Sequence, residues 1–257
     1  PLPPLSCSAM TVAALVLAAG RGDRLSESLA VVQSERTGLV EGGTLPKAFV
    51  PLVGRCLLLR SLEAVSASAE VDLVVPVVAK EAMPRLAALE SELRKIAKLQ
   101  PAVAGGAERQ DSVRCGLEAL PAEVTHVAVH DAARPLVRPG DVSRVVRAAR
   151  SSGAALLAVP VTDTIKRVQG GEVVATPPRA ECYAAQTPQV FRAEWLRDAL
   201  AKAEADGVRG TDDAALVERL GVTVVVVEGD PANLKITSAE DLALAEAWLR
   251  RRGEPLG

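Results

Sequence analysis

The strands of this chain are marked by runs that are apolar at both parities. Val12–Ala18 is the first of them. "VDLVVPVVA" at 71–79, "HVAVHD" ending at Asp131, "GAALLAVPV" at 153–161 and "VTVVVVEG" at 222–229 follow. A run without polar alternation is buried on both faces, which is how strands of parallel sheets read. Between the runs lie segments rich in helix formers, with apolar positions at helical spacing. These are Leu57–Ala67, Glu81–Lys98, Ser112–Leu120, Asp141–Arg150, Ala193–Ala205, Asp212–Leu220 and Ser238–Arg251. The last opens with Thr237-Ser-Ala-Glu240, a capping-box pattern. Strands alternating with helices predict an α/β fold, a mostly parallel sheet with helices on both faces.

Two segments break the alternation. Ser26–Leu45, "SESLAVVQSERTGLVEGGTL", is long for a strand-to-helix connection. It reads either as a variable surface loop or as a lid. Thr164–Thr176, "TIKRVQGGEVVAT", has two alternating runs around Gly170-Gly171, the signature of a β-hairpin. A lone two-stranded hairpin is marginal in water. This one is expected to dock on its own domain or on a second subunit.

Composition narrows the function classes. The chain has 257 residues, 49% hydrophobic but only 2% aromatic, so its core is packed by Val, Leu, Ala and Ile. A formal net charge of −2 argues against nucleic acid as a partner, and so few aromatic rings argue against a single-strand stacking platform. Cys7, Cys56, Cys115 and Cys182 are scattered, and there are two histidines. Neither a zinc site nor a disulfide framework is expected, and a reducing cytoplasm is the natural compartment. No apolar run is long enough to span a membrane. The start "PLPPLSCSAM" lacks the basic region of a signal peptide. Residues 1–9 read as a disordered extension, with Met10 as the original start.

The candidate chemistry begins in "AALVLAAGRGDRL", Ala13–Leu25, where the first run breaks into a glycine loop with two arginines. A dinucleotide fingerprint needs a third glycine and an immediate helix, and this loop offers neither. The Arg-Gly-Asp tripeptide reads as a chance match. Backbone N–H groups and arginines after a strand suit a triphosphate instead. In "PKAFVPLVG", Pro46 stiffens the chain before Lys47, which by itself reads more often as a solvated surface charge than as a site residue. In "AGGAERQDSVRCGL", Gly105-Gly106 permits close backbone approach, and Ser112 serves either a base or ribose or the cap of a helix. "VHDAARPLV" ends a strand at Asp131, where ligands of open α/β sheets bind. An aspartate at a strand end is often a turn former, and Arg134 beside it favours a site. Asp163, Thr164 and Lys166, then Arg179, Thr187 and Gln189, then Thr211, Asp212 and Lys235, lie in further stretches of the same flavour.

Taken in order, LAAGRGDRL, PKAF, GGAERQDSV, VHDAARP, PVTDTIK, an arginine followed by QTPQ, GTDDA and NLKIT make the chain resemble the 2-C-methyl-D-erythritol 4-phosphate cytidylyltransferases of the non-mevalonate isoprenoid pathway. The resemblance runs from Val12 to Leu249. The extra length between Arg24 and Pro46 departs from it, and the end of the chain leaves no room for the cyclase domain that some members carry. Ribitol-5-phosphate cytidylyltransferases look similar. A non-catalytic nucleotide-binding protein of the same fold is the alternative of a different class, but Arg24 and Lys47 are both present.

The resemblance implies a Rossmann-like nucleotidyltransferase domain over 10–251, with a protruding β-arm at about 162–180 and a tail at 252–257. The implied reaction joins CTP to methylerythritol phosphate and releases pyrophosphate. Arg24, Lys47 and Lys235 are the implied catalytic cations. Ala18, Ala19, Gly20, Gly22, Gly105, Ser112 and Asp131 are the implied CTP contacts. Arg134, Thr164, Arg179, Thr187 and Thr211 are the implied contacts of the sugar phosphate. Mg²⁺ is expected, held mainly by the CTP phosphates with Asp131 as its protein ligand. A cytoplasmic homodimer that exchanges arms is expected as well.

Overall fold

Strand β1 (Thr11–Ala18) shows why its apolar run has no polar alternation. Val12, Ala14, Val16 and Ala18 enter one buried cluster, while Ala13, Leu15 and Leu17 enter another on the opposite face. The computed structural model describes residues 10–20 and 45–253. The expectations for 1–9, for Gly22 and Arg24, for most of the 26–45 connection and for the end of the tail lie outside those residues.

After β1 come a short 3-10 turn (Lys47–Phe49), β2 (Pro51–Leu52), β3 (Arg55–Cys56), α1 (Leu57–Ser66), β4 (Leu73–Val78), α2 (Met83–Ala87), α3 (Glu90–Leu93), β5 (Val103–Ala104), α4 (Arg109–Glu118), β6 (Val124–Asp131), α5 (Pro139–Ser152) and β7 (Ala154–Pro160). Then follow β8 (Arg167–Gln169), β9 (Glu172–Ala175), β10 (Tyr183–Arg192), α6 (Ala193–Ala205), α7 (Asp213–Glu218), β11 (Val225–Glu228) and α8 (Ala239–Arg251). Seven strands form the main sheet in the order β11-β7-β10-β6-β1-β4-β5. Every pairing is parallel except the two made by β10. Helices α1 and α5 cover one face through Leu58, Leu62, Val142, Val145 and Val146. Helices α4, α6 and α7 cover the other through Val113, Leu117, Leu196, Leu200 and Val217.

Strand β1 pairs with β4 on one side and with β6 on the other. The sheet order therefore reverses at β1, and the carboxyl ends of β1, β4 and β6 frame a crevice of the kind where open α/β sheets bind ligands. In this register Leu17 lies opposite Asp131.

Strand β10 corrects the sequence-based expectation, which places no strand over 177–191. Its Gln-Thr-Pro-Gln interrupts any alternation, and a proline inside a run demotes a strand. Because β10 runs antiparallel, its beginning lies at the carboxyl edge of its neighbours. Tyr183 lies opposite Pro160, the last residue of β7. The ladder with β7 is irregular between Ala185 and Gln189, the kind of local break that re-aims side chains near sites.

The helix expected over 81–98 is also corrected. It breaks into a 3-10 turn at Lys80–Ala82 and the short α2 and α3, with Pro84 in the first turn of α2. Only Ala82, Leu86 and Ile96 of this stretch are buried, too few to hold one continuous helix against the core. The capping box of α8 sits one residue later than expected. Ser238 is the N-cap and Asp241 is its partner, and the Asp241 carboxylate also accepts the Thr237 N–H at 2.7 Å.

The expected hairpin forms. Strands β8 and β9 make a two-stranded sheet of their own, with Val168 opposite Val173. Gly170 and Gly171 both take positive φ, +60° and +86°, which is what a two-residue hairpin turn demands.

Candidate active site

The glycine loop after β1 and the start of α4 meet because Gly105 has no side chain. Its N–H bonds the Val78 carbonyl at the end of β4. A Cβ there would stand 2.5 Å from the Ala19 Cβ and 2.8 Å from the Ser112 Oγ. Ser112 is buried and pins this loop, accepting the Gly106 N–H at 3.1 Å and donating to the Glu108 carbonyl at 3.0 Å. The cap of α4 is instead a reciprocal pair of Glu108 and Asp111, so the capping alternative for Ser112 is set aside. Gly20, next along the loop, has no described residue within 4 Å of where a Cβ would stand.

At the end of β6, Asp131 is buried between two cations. Arg109 Nε lies 3.2 Å from its Oδ1 and Lys235 Nζ lies 2.7 Å from its Oδ2. Burial opposes the charge, but Arg109, Lys235 and Arg134 outweigh it and hold this carboxyl well below the usual carboxylate range. The other arm of Arg109 reaches Asp213, the first residue of α7, at 2.8 Å. Burial would pull Arg109 down, yet the two carboxylates raise it above its ordinary value.

Thr187 joins β10 to this edge. Its Oγ1 accepts the Asp131 N–H at 3.0 Å and lies 3.0 Å from His130 Nδ1. His130 Nε2 lies 3.2 Å from the Arg134 carbonyl, which can only accept, so Nε2 carries the proton. Burial pushes His130 down to about 4, which keeps the ring neutral. Its Nδ1 is then an acceptor, and the Thr187 hydroxyl donates to it. The hydroxyl is thus committed on both sides, to Asp131 and to His130.

Arg134 donates to the Asn233 carbonyl at 2.8 Å and the Ala185 carbonyl at 3.2 Å. Gln189 clamps the start of α7, donating to Asp212 at 2.8 Å and accepting the Ala214 N–H at 3.0 Å. These groups surround a cavity of about 290 Å³ lined by Arg109, Asp131, Arg134, Ala185, Gln186, Thr187, Gln189, Thr211, Asp212 and Lys235.

A profile of the 2-C-methyl-D-erythritol 4-phosphate cytidylyltransferase family matches residues 12–251. The chain belongs to that family. Its relative from Symbiobacterium thermophilum, a 2-C-methyl-D-erythritol 4-phosphate cytidylyltransferase, is 44% identical over 85% of this chain and 91% of that protein. The one from Pelotomaculum thermopropionicum is 43% identical over 94% and 95%. The crystal structure of the Thermus thermophilus enzyme of the same name is 37% identical with a TM-score of 0.71, covering 94% of this chain and all of that one. The 4-diphosphocytidyl-2C-methyl-D-erythritol synthase of Anaerococcus prevotii superposes with a TM-score of 0.78 at 28% identity, over 94% of this chain and 99% of that one.

Of the residues expected to serve a cytidylyltransferase, the fold gathers Asp131, Arg134, Thr187, Thr211 and Lys235 around one cavity. It packs Ala19, Gly105 and Ser112 together at the neighbouring strand ends. Lys47 is half-buried at the start of its 3-10 turn and is not in the lining of that cavity. Thr164 and Arg179 are exposed on the arm segment and are also outside the lining. The Arg179 guanidinium donates to the Thr162 carbonyl at 3.0 Å. Gly22 and Arg24 lie outside the described residues. Arg109, Gln186 and Asn233 are the polar groups that sequence reasoning passed over. Arg109 stands inside the quoted GGAERQDSV stretch, and its signal was a basic residue at the start of a helix that follows a glycine pair. Gln186 opens the quoted QTPQ and Asn233 the quoted NLKIT, and that membership was their one signal in the sequence.

Among the described residues, no group of three or more His, Cys, Asp or Glu side chains is placed to hold a metal ion. Asp131 and Asp212 are the carboxylates of the cavity. That donor set fits Mg²⁺ bound through substrate phosphates with one or two carboxylates, rather than in an all-protein cage.

Proposed function

We infer that this chain transfers a cytidylyl group from CTP to 2-C-methyl-D-erythritol 4-phosphate, giving 4-diphosphocytidyl-2-C-methyl-D-erythritol and pyrophosphate, a step of isoprenoid precursor biosynthesis. The observation that carries the reading is the family match over residues 12–251. The cation-lined cavity at the strand ends supports it.

In the transfer, an acceptor phosphate oxygen attacks the α-phosphorus of CTP in line. A new P–O bond forms as the bond to the β-phosphate breaks, and pyrophosphate leaves with the electron pair. The nucleophile is already an anion, so no strong base is required. The protein must bring two polyanions together and stabilise the charge that develops. Arg24, Lys47 and Lys235 are the proposed cations for that work. Lys235, now on Asp131, turns toward the phosphates when they arrive. Backbone groups at Ala18–Gly20, Gly22 and Gly105, with Ser112, are proposed to hold the cytidine, with Asp131 at its ribose. Arg134, Thr187 and Thr211 are proposed to receive the acceptor phosphate. Thr187 acts there through its hold on Asp131, since its one hydroxyl proton is given to His130. Mg²⁺, held by the triphosphate and reached by Asp131, would supply Lewis-acid neutralisation.

The arm is proposed to cross to a second copy of the chain, carrying Thr164 and Arg179 to that copy's acceptor site. Val168 and Val173 are 55% and 59% exposed, and a two-fold exchange would bury them in a closed contact. Among the described residues no helix is long and apolar enough to cross a membrane, and a cytoplasmic location follows the family.

Pyrophosphate release from CTP with each of methylerythritol phosphate and ribitol 5-phosphate tests the reading. Turnover with the first and not with the second is expected, and the reverse result would reassign the acceptor. CTP should also outrun UTP and ATP, because a mismatched base leaves pocket groups unpaired.

A further inference from the structure

We propose that Arg109 is a positioning residue for the transfer: anchored by Asp213, it fixes one oxygen of Asp131 so that the other can exchange Lys235 for substrate. This rests on the function proposed above.

The geometry divides the carboxylate of Asp131 between two different cations. Oδ2 holds Lys235, whose side chain is 42% exposed and sits on a flexible stem, so it is the partner free to move. Oδ1 holds Arg109, which has a second anchor in Asp213, 1% exposed. A guanidinium fork between two carboxylates is rigid in a way that an ammonium is not. When Lys235 leaves for a phosphate, Asp131 retains a counter-charge and a fixed direction. The same first turn of α4 also reaches the loop that carries Thr211. Gln110 accepts the Gly210 N–H at 3.2 Å and Asp111 pairs with Arg209 at 2.7 Å. A small shift of this turn would therefore move both sides of the cavity.

Among the described residues Arg109 is the one ion-pair partner of Asp213. It opens a six-residue helix whose N-cap is already Asp212. A buried carboxylate is retained at a cost unless its partner is in place, and its partner is the residue that orients Asp131.

The test is steady-state kinetics of pyrophosphate release by Arg109→Met, Arg109→Lys and the double variant Arg109→Met/Asp213→Asn, beside the wild-type protein with CTP and methylerythritol phosphate. Arg109→Met leaves Asp213 buried without its cation and is the variant that risks unfolding. The double variant removes that charge and keeps the test on a folded protein, checked by circular dichroism. In the double variant kcat should fall about 10- to 100-fold, the range typical when a supporting partner of a functional side chain is lost. Both KM values should stay within about threefold, because a positioning residue does not bind substrate itself. Arg109→Lys should recover part of the loss. Wild-type kcat in the folded double variant overturns the proposal. So does a raised KM with unchanged kcat, which would place Arg109 directly on substrate, or equal loss in the Lys and Met variants. Absence of turnover in the wild-type protein would overturn the proposed function and this inference with it. Wild-type turnover with unaffected variants overturns this inference alone.

Discussion

The edge of the sheet and the hairpin arm are built on opposite principles. At the edge, Gly105 lets Ser112 of α4 approach Ala19 of the loop after β1, and Asp131 sits among Arg109, Lys235 and Thr187 with its charge compensated. Each group there has its partners inside one chain. The arm presents Val168, Val173 and Val174 to solvent, at 55%, 59% and 45% exposure. Among the described residues β8 pairs only with β9. The contrast teaches that the strand-end cluster proposed to hold the nucleotide is built within one chain, whereas the arm carries Thr164 and Arg179 outside the lining of its own chain's cavity. A hairpin of this kind is marginal by itself in water, and the proposed exchange with a second copy would cover it.

The largest expected effect lies with the proposed catalytic cations. Lys47→Ala and Arg24→Ala should each lower kcat about 100-fold or more, by analogy with the loss of one oriented donor at a charged transition state, while leaving the far-UV dichroism unchanged. Near-wild-type pyrophosphate release in both variants would remove these two residues from the chemistry. The comparison itself is then tested by mixing Lys47→Ala with Arg179→Ala under subunit exchange. In a random mixture about half the dimers are mixed, and each mixed dimer has one site with both lesions and one with neither. About a quarter of wild-type activity should return. Exchange without recovery, with both variants folded, would mean that each chain completes its own site.

A smaller pair of effects separates the two regions by stability. Gly105→Ala forces a methyl into the Ala19 and Ser112 contact and should cost about 1–3 kcal/mol in urea unfolding, as overpacking does, with a raised KM for CTP. Val168→Ser with Val173→Ser should change the stability of the monomer by less than about 0.5 kcal/mol, as exposed substitutions do. Sedimentation should nevertheless show the dimer shifted toward monomer. A dimer of wild-type strength in that variant would detach the arm from the interface.

The smallest effect belongs to the sheet alone. Burial, with Arg192 and Arg150 nearby, lowers the pKa of His126 near the start of β6. The unfolded chain therefore binds a proton near pH 6.5 that the native chain resists, and native stability falls as pH drops below that value. Unfolding midpoints at about pH 7.5 and about pH 5.5, on either side of that titration, should differ less in His126→Gln than in the wild-type protein. An unchanged difference would assign the acid sensitivity elsewhere.

Continuous apolar runs at 12–18, 71–79 and 153–161, and helix-forming stretches such as 193–205, were enough to determine a mostly parallel sheet covered on both faces. A strand buried on two sides is apolar at nearly every position. Gly170-Gly171 was enough to place the hairpin, because only glycine takes positive φ readily at both central positions. The motif text carried the family, since its residues recur in order along the chain. Strand β10 was not legible, because its Gln-Thr-Pro-Gln is polar for reasons of position: it enters antiparallel at the carboxyl edge and gives its side chains to Asp131, His130, Asp212 and Asn233. The double anchoring of Arg109 was not legible either. Its partners, Asp131 and Asp213, lie far along the chain in other elements. Sequence patterns report periodicity within an element, whereas ion pairing across elements depends on which strand ends the sheet order brings together.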